Sequence, residues 1–206
     1  MISIVDYGMG NIRSVRNALD FIGVKNKVID SPSKVLASEK LILPGVGYFS
    51  EAMKNIQAKG LLSPLNEAVL VRKVPVLGIC LGMHLLLKES EEGGATKGFG
   101  WIDGKVKRIP EAPLLKVPHI GFNTVYFQRP SLGLFENLGE HSDFYFAHSY
   151  RVLCDDVQTV SGWVDYGDRF AVSIEKNNIF GTQFHPEKSQ SNGLAVLKNF
   201  CKLRKN

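Results

Sequence analysis

The clearest chemical signature in the sequence is a cysteine with glycines two residues before and two residues after it, Gly78-Ile79-Cys80-Leu81-Gly82. A segment predicted to be a strand precedes it and one predicted to be a helix follows, which is the context of a nucleophile elbow. Glycines avoid collisions in so tight a bend. The helix N-terminus favours a thiolate and offers amides, chiefly that of Leu81, to an oxyanion. The pattern predicts that Cys80 is a nucleophile rather than a cysteine buried for packing.

A nucleophilic cysteine needs a proton acceptor and a group that orients it. Among the five histidines, His185 stands out because it follows a predicted strand and is followed by Pro186 and Glu187. Alternate residues of an extended segment point to the same side, and proline favours an extended residue before it. The spacing therefore predicts that Glu187 holds the His185 imidazole, which would complete a Cys80–His185–Glu187 triad.

A glycine-rich turn, Pro44-Gly45-Val46-Gly47, follows another predicted strand. Two glycines in four residues let the backbone turn its N–H groups toward a ligand. A plain turn has the same composition. The segment gains a functional interpretation only from its predicted position beside the elbow.

The first half of the chain alternates short apolar strands with amphipathic helices, which predicts a parallel sheet covered by helices on both faces. Ligands of such sheets bind beyond the carboxyl ends of the strands, where residues 6–8, 44–47 and Cys80 are placed. The predicted strands cover residues 2–5, 27–30, 41–43 and 74–79, and the predicted helices residues 12–22, 49–58, 65–72 and 81–89.

The second half is strand-rich and predicts an antiparallel extension of the same sheet. Strands are predicted at residues 125–127, 144–147, 159–164, 170–174 and 179–183. Ser191 is predicted to cap a last helix, whose apolar face would contain Leu194, Leu197, Phe200 and Cys201. The fold class predicted is α/β, with a mostly parallel central sheet flanked by helices.

Length and composition predict one globular domain over residues 1–206, since 44% of the residues are apolar and 22% are charged. No apolar run approaches the roughly 18 residues that a membrane-spanning helix needs. The N-terminus reaches Asp6 without a basic lead-in, which is not typical of a secretory signal. We expect a cytoplasmic protein without membrane association.

Three cysteines, none paired in a CxxC motif, argue against a disulfide framework and against a cysteine-based metal site. No metal and no cofactor are expected. The net charge of +5 is largely scattered and forms no basic stripe of the kind that nucleic-acid binding requires. Nucleic acid is therefore not an expected partner.

Taken together, these motifs resemble the class I, or triad-type, glutamine amidotransferases, a family that combines a cysteine elbow with a distant H-P-E. The resemblance implies a flavodoxin-like fold and runs from residue 6 to residue 189. Within the family, it is strongest to the glutaminase subunits of imidazole glycerol phosphate synthases, of histidine biosynthesis. The matching segments are residues 6–11 (DYGMGN), 43–47 (LPGVG), 78–83 (GICLGM), 117–123 (VPHIGFN), 145–150 (YFAHSY) and 181–189 (GTQFHPEKS).

The resemblance implies a mechanism and a partner. Cys80 would attack the side-chain carbonyl of glutamine, His185 would take the thiol proton and later protonate the ammonia, and Glu187 would orient His185. The ammonia would pass to a cyclase subunit, a TIM-barrel protein that forms a heterodimer with this chain.

The family pattern also implies roles for other residues. The oxyanion hole would be formed by Leu81, Val46 and Gly47. The glutamine-binding residues would be Gly47, His84, Glu92, His148, Ser149 and Tyr150. The residues facing the cyclase would be Asn11, Pro118, Tyr145 and Lys188.

Two positions depart from the family pattern. His84 stands where the family usually has glutamine, and a neutral histidine offers one donor and one acceptor with a shorter reach. We expect a tolerated substitution. The alternative is that glutamine still binds, with altered affinity or pH dependence. Phe122 stands where tryptophan is common, which removes an indole N–H from the partner side.

Three other interpretations stay open at the level of the sequence. A paralogous glutaminase could supply ammonia to a related synthase that puts an amidine on a bacterial surface sugar. A catalytically dead docking module would lack a member of the triad, and none is missing. A stand-alone hydrolase of glutamyl peptides would be fully active without a partner.

Overall fold

One mixed sheet of thirteen strands organises the described part of the chain, which is residues 1–113, 115–128 and 133–203 of a computed structural model. The strands are β1 (Ile2–Val5), β2 (Asn26–Ile29), β3 (Lys40–Gly45), β4 (Val76–Cys80), β5 (Leu87–Ser90), β6 (Thr96–Lys97), β7 (Ile102–Arg108), β8 (His119–Phe127), β9 (His141–His148), β10 (Tyr150–Cys154), β11 (Val160–Tyr166), β12 (Asp168–Lys176) and β13 (Ile179–Thr182). The α-helices are α1 (Ile12–Phe21), α2 (Pro32–Leu36), α3 (Phe49–Ala58), α4 (Leu62–Asn66), α5 (Leu81–Leu85) and α6 (Gln190–Lys202).

The parallel half of the sheet has the order β2-β1-β3-β4-β13. This is the flavodoxin-like order, in which a ligand site lies where the strand order reverses. In the register of β3 with β4, Gly45 pairs with Cys80, so the glycine-rich turn and the cysteine meet at the same edge. The α/β fold predicted from the sequence is confirmed.

The antiparallel half begins at β12, which pairs with β13, β10 and β11. From β11 the sheet continues through β8 to β9. The predicted antiparallel extension is therefore confirmed. Strands β5, β6, β7 and β10 were not predicted from the sequence. In β7 the buried positions are Ile102, Gly104 and Val106, so only two large apolar residues mark its alternation.

Two hydrophobic clusters cover the two faces of the sheet. Leu41 and Leu43 belong to one cluster and Ile42 to the other, as the alternation of side chains along a strand requires. The first cluster contains residues of α3 and α5, and the second contains residues of α1 and α6. Both layers of helices therefore fix the strand ends from which the site is built.

The helix predicted over residues 81–89 is wrong in its second half. Helix α5 ends at Leu85, and residues 87–90 form β5, which pairs with β6 and β7. A continuous apolar run such as Leu85-Leu86-Leu87 fits a buried helix and a buried strand equally well. The pairing with distant strands decides between them.

Three other boundaries differ from the prediction. Strand β3 continues through Pro44 to Gly45, which is possible because β1 pairs with it only as far as Ile42. The helix predicted at residues 65–72 is α4 followed by a π-helical turn, Glu67–Val71. Helix α6 begins two residues earlier than predicted, with Ser189 rather than Ser191 at its N-cap. Among the described residues, no helix has the length and apolarity needed to cross a membrane.

Candidate active site

Cys80 occupies a sharp bend between β4 and α5. Its backbone has φ 52° and ψ −109°, a left-handed conformation that costs free energy for a non-glycine residue and that recurs at functional sites. A Cβ atom at Gly78 would lie 2.5 Å from the carbonyl oxygen of Gly82, and one at Gly82 would collide with the carbonyl oxygen of Leu43. The predicted elbow is present, and both glycines are required by close backbone approach.

The His185 side chain joins Cys80 to Glu187. Its Nδ1 lies 2.8 Å from Oε1 of Glu187, and the two side chains are 3% and 1% exposed. Burial alone would lower the pKa of His185, but its interactions with Cys80 and Glu187 outweigh burial and raise the pKa to about 10. This arrangement favours the imidazolium form of His185 beside Cys80.

The contact between His185 and Glu187 forms in a different way from the one expected. The segment after His185 is a 3-10 turn, Pro186–Lys188, and not an extended strand. The backbone N–H of His185 donates to the carbonyl of Tyr145 at 2.9 Å, and its carbonyl accepts from Ser189 Oγ at 2.6 Å. These hydrogen bonds fix the backbone of His185, and the contact with Glu187 orients its ring.

A cavity of about 390 Å³ opens above Cys80. It is lined by Val46, Gly47, Tyr48, Cys80, Leu81, His84, Glu92, Arg108, Pro118, Ile120, Ala147, His148, Ser149 and Tyr150. The structure thus brings together every residue expected at the oxyanion hole and in the glutamine site. Four further lining residues were not predicted, because they carry no motif signal of their own apart from their neighbours: Tyr48, Arg108, Ile120 and Ala147.

Glu92 forms part of the cavity wall beside the N-terminus of α3. Its Oε2 accepts from the backbone N–H of Phe49 at 3.1 Å. Burial raises the pKa of Glu92, and the hydrogen bond from Phe49 opposes that shift. The neighbouring loop is more open, since Val46 is 50% and Tyr48 is 64% exposed.

His148 is held in the cavity wall by a chain of hydrogen bonds. Its Nδ1 donates to the carbonyl of Tyr150 at 2.7 Å, which leaves Nε2 to accept from His119 Nδ1 at 3.0 Å. His119 Nε2 then accepts from the amide of Asn123 at 3.4 Å. Burial lowers the pKa of His148 to about 3 and of His119 to about 4. Each neutral ring therefore has one defined tautomer.

His84 lies in the same cavity and contacts Gln183, a buried residue that the sequence analysis did not assign to the site. His84 Nε2 is 2.6 Å from Gln183 Oε1, and Gln183 Nε2 is 3.7 Å from Cys80 Sγ. Burial lowers the pKa of His84 to about 4, partly opposed by the hydrogen bond with Gln183. The only signal for Gln183 was its place two residues before His185.

The residues expected to face a partner lie in three places. Pro118 lines the cavity. The Lys188 ammonium lies 5.6 Å from the ring of Tyr145, which makes an edge contact with the half-exposed Phe122. Asn11 accepts from the backbone N–H of Ser14 at 3.1 Å and so caps α1.

Comparisons with known proteins agree with this geometry. The family model of the class-I glutamine amidotransferases matches residues 3–203. The imidazole glycerol phosphate synthase subunit HisH of Moorella thermoacetica is 50% identical over 98% of this chain and 94% of its own length. The synthase subunit HisH 1 of Campylobacter jejuni is 46% identical over 98% of this chain and 100% of its own.

The chain belongs to the class I glutamine amidotransferase family. Solved structures agree on the fold of these enzymes. A crystal structure of a glutamine amidotransferase has a TM-score of 0.75 at 18% identity, covering 98% of both chains. PurLQS from Thermotoga maritima has a TM-score of 0.74 at 20% identity, covering 97% of this chain and 96% of its own. The predicted family, fold and enzyme class are confirmed.

Proposed function

We propose that this class I glutamine amidotransferase is the glutaminase subunit of an imidazole glycerol phosphate synthase. It hydrolyses glutamine to glutamate and ammonia. The observation that carries the proposal is the series of interactions from Cys80 through His185 to Glu187, in which Cys80 lines a cavity large enough for an amino acid. The identity of up to 50% with synthase subunits over nearly the whole chain supports the pathway.

In the first half of the reaction, the Cys80 thiolate attacks the side-chain carbonyl carbon of glutamine. The carbonyl electron pair moves to the oxygen, which the N–H of Leu81 and the backbone of Val46–Gly47 stabilise. When the tetrahedral intermediate collapses, the His185 imidazolium gives its proton to the leaving nitrogen. Ammonia departs and a thioester remains on Cys80.

In the second half, neutral His185 takes a proton from a water molecule as that water attacks the thioester. The new tetrahedral intermediate expels the Cys80 thiolate, and glutamate is released. Glu187 keeps Nδ1 of His185 occupied throughout, so that the other ring nitrogen faces the reacting atoms. The cycle requires no metal and no cofactor.

The cavity wall provides groups of both signs for an amino-acid substrate. We place the α-ammonium of glutamine near the Glu92 carboxylate and the rest of the molecule against Gly47, His84, His148, Ser149 and Tyr150. Both ring nitrogens of neutral His148 are already engaged, Nδ1 with the Tyr150 carbonyl and Nε2 with His119, so His148 contributes packing surface rather than a hydrogen bond to the substrate.

The proposed acceptor of the ammonia is a TIM-barrel cyclase subunit that forms a heterodimer with this chain in the cytoplasm. Its docking face would include Asn11, Pro118, Tyr145 and Lys188. Tyr145 supports this placement, because its carbonyl also accepts from the backbone N–H of His185. We further propose that residues 1–206 form one glutamine amidotransferase domain.

Co-purification with the cyclase subunit, followed by a glutaminase assay, tests the proposal. We expect slow glutamate release by the chain alone and a large increase with the cyclase and its ligand. Equal rates in both conditions would favour a stand-alone hydrolase. Failure to rescue a histidine auxotroph would point to a sugar-amidinating synthase, which the relatives described above do not favour.

A further inference from the structure

The side chain of Gln183 contacts the nucleophile on one side and a histidine on the other. It is fully buried, with no exposed surface, and follows directly after β13. Its Nε2 donates to Cys80 Sγ at 3.7 Å, and its Oε1 lies 2.6 Å from Nε2 of His84. The backbone N–H of Gln183 donates to the carbonyl of Val172 at 2.8 Å, which fixes the backbone from which the Gln183 side chain extends.

The pairing rules allow one arrangement of these groups when Cys80 is a thiolate. A thiolate only accepts hydrogen bonds, so the amide must present its N–H to the sulfur. The amide oxygen, which also only accepts, must then receive the N–H of His84 Nε2. The reversed amide would place a partial negative charge against the sulfur and leave His84 without its donor role.

We propose that Gln183 is a positioning residue that stabilises the Cys80 thiolate, and that His84 holds the Gln183 amide in the orientation required. The proposal rests on the proposed function, in which that thiolate is the nucleophile. It also gives His84 a role, the orientation of the Gln183 amide, that the comparison with the family pattern does not predict. The burial of His84 keeps it neutral, so its single N–H is committed to Gln183.

The same geometry explains why histidine is acceptable where the family usually has glutamine. Either side chain can donate one N–H to an amide oxygen. An apolar residue of similar size fills the space and donates nothing. His84→Gln and His84→Leu therefore form a matched pair that separates hydrogen bonding from packing.

The test is the pH dependence of Cys80 alkylation by iodoacetamide, measured by peptide mass spectrometry on the full chain with Cys154→Ser and Cys201→Ser. Gln183→Met removes the hydrogen bond to the sulfur. Because a hydrogen bond to a charged group is worth about 1.5–3 kcal/mol, we expect its loss to raise the midpoint of the alkylation pH profile by about one to two pH units. At a pH below the midpoint, this corresponds to a rate about 10- to 100-fold lower. An unchanged midpoint would overturn the proposal.

The matched pair at His84 gives a second, independent reading. We expect His84→Leu to raise the midpoint in the same direction as Gln183→Met, and His84→Gln to leave it close to that of the parent protein. If the two His84 variants shift equally, the amide is not oriented by a hydrogen bond and the proposal fails. Glutamate release by Cys80→Ala is a separate readout, so a failure of the proposed function is recognised independently.

Discussion

The two sides of the substrate cavity differ in how firmly they are held. On one side, Cys80 and His185 are 7% and 3% exposed, and hydrogen bonds fix His185 through its ring and its backbone. On the other side, Val46 and Tyr48 are at least half exposed, and Gly47 has a φ of 120°. The proton-transfer groups are preorganised, whereas the candidate oxyanion segment lies on the surface.

This difference offers a physical reason for the low activity that we expect of the isolated chain. Preorganised donors stabilise a transition state because they need no rearrangement during the reaction. A half-exposed segment provides that benefit only when something orders it. The exposed Val46, Tyr48 and Ile120 all line the cavity, so a partner that covers this face would also confine the segment.

The largest effect is expected for Cys80→Ala, which removes the nucleophile from the preorganised side. Glutaminase activity with the cyclase should fall by about 10³-fold or more. The small substitution should leave the circular dichroism spectrum unchanged, which serves as the control for folding. Substantial glutamate release by this variant, measured by a coupled assay, would show that Cys80 is not the nucleophile on the preorganised side of the cavity.

Glu187→Gln should lower kcat by about 10²- to 10⁴-fold, because the amide no longer selects the tautomer of His185. The KM for glutamine should change much less, since Glu187 does not line the cavity. Steady-state kinetics with the cyclase present measure both values. A change confined to KM would assign Glu187 to substrate binding instead.

Gly47→Ala tests the exposed side. A Cβ atom there would meet Met9 in a backbone conformation that favours glycine, so we expect about a 10²-fold loss of kcat. Alkylation of Cys80 by iodoacetamide should keep its rate, because the triad is untouched. Gly23→Ala is the control, since Gly23 also has a positive φ but has open space around it. Loss of alkylation in Gly47→Ala would mean that the two sides are not independent.

Acid should lower the stability of the preorganised side of the cavity, because its buried histidines are neutral in the folded protein. Burial lowers the pKa of His84 from an ordinary value of 6.5 to about 4. Its contribution is therefore complete above pH 6.5 and is lost as the pH falls toward 4. At pH 5 this loss is about 2 kcal/mol of unfolding free energy. His84→Gln should be less sensitive to acid by that amount in urea titrations at pH 7.5 and pH 5, and equal sensitivity would contradict the assignment.

The same contrast explains what the sequence alone could predict. The triad was predictable because its residues leave local patterns in the sequence. Cys80 lies in a bend that requires glycines on both sides, and His185 and Glu187 are separated by a single proline. Gln183 and His119 were not assigned roles, because their partners lie 103 and 29 positions away and only the folded sheet brings them together. The prediction of a helix past Leu85 failed for the same reason, since residues 87–90 form a strand through their pairing with β6 and β7.

The most direct test of the central claim is covalent labelling with 6-diazo-5-oxo-L-norleucine, a reactive glutamine analogue, followed by peptide mass spectrometry. We predict a single adduct on Cys80, suppressed by excess glutamine and absent from Cys80→Ala. An adduct on Cys154 or Cys201 in place of Cys80, or labelling of Cys80 that glutamine does not suppress, would contradict the assignment of Cys80 as the nucleophile of a glutamine site.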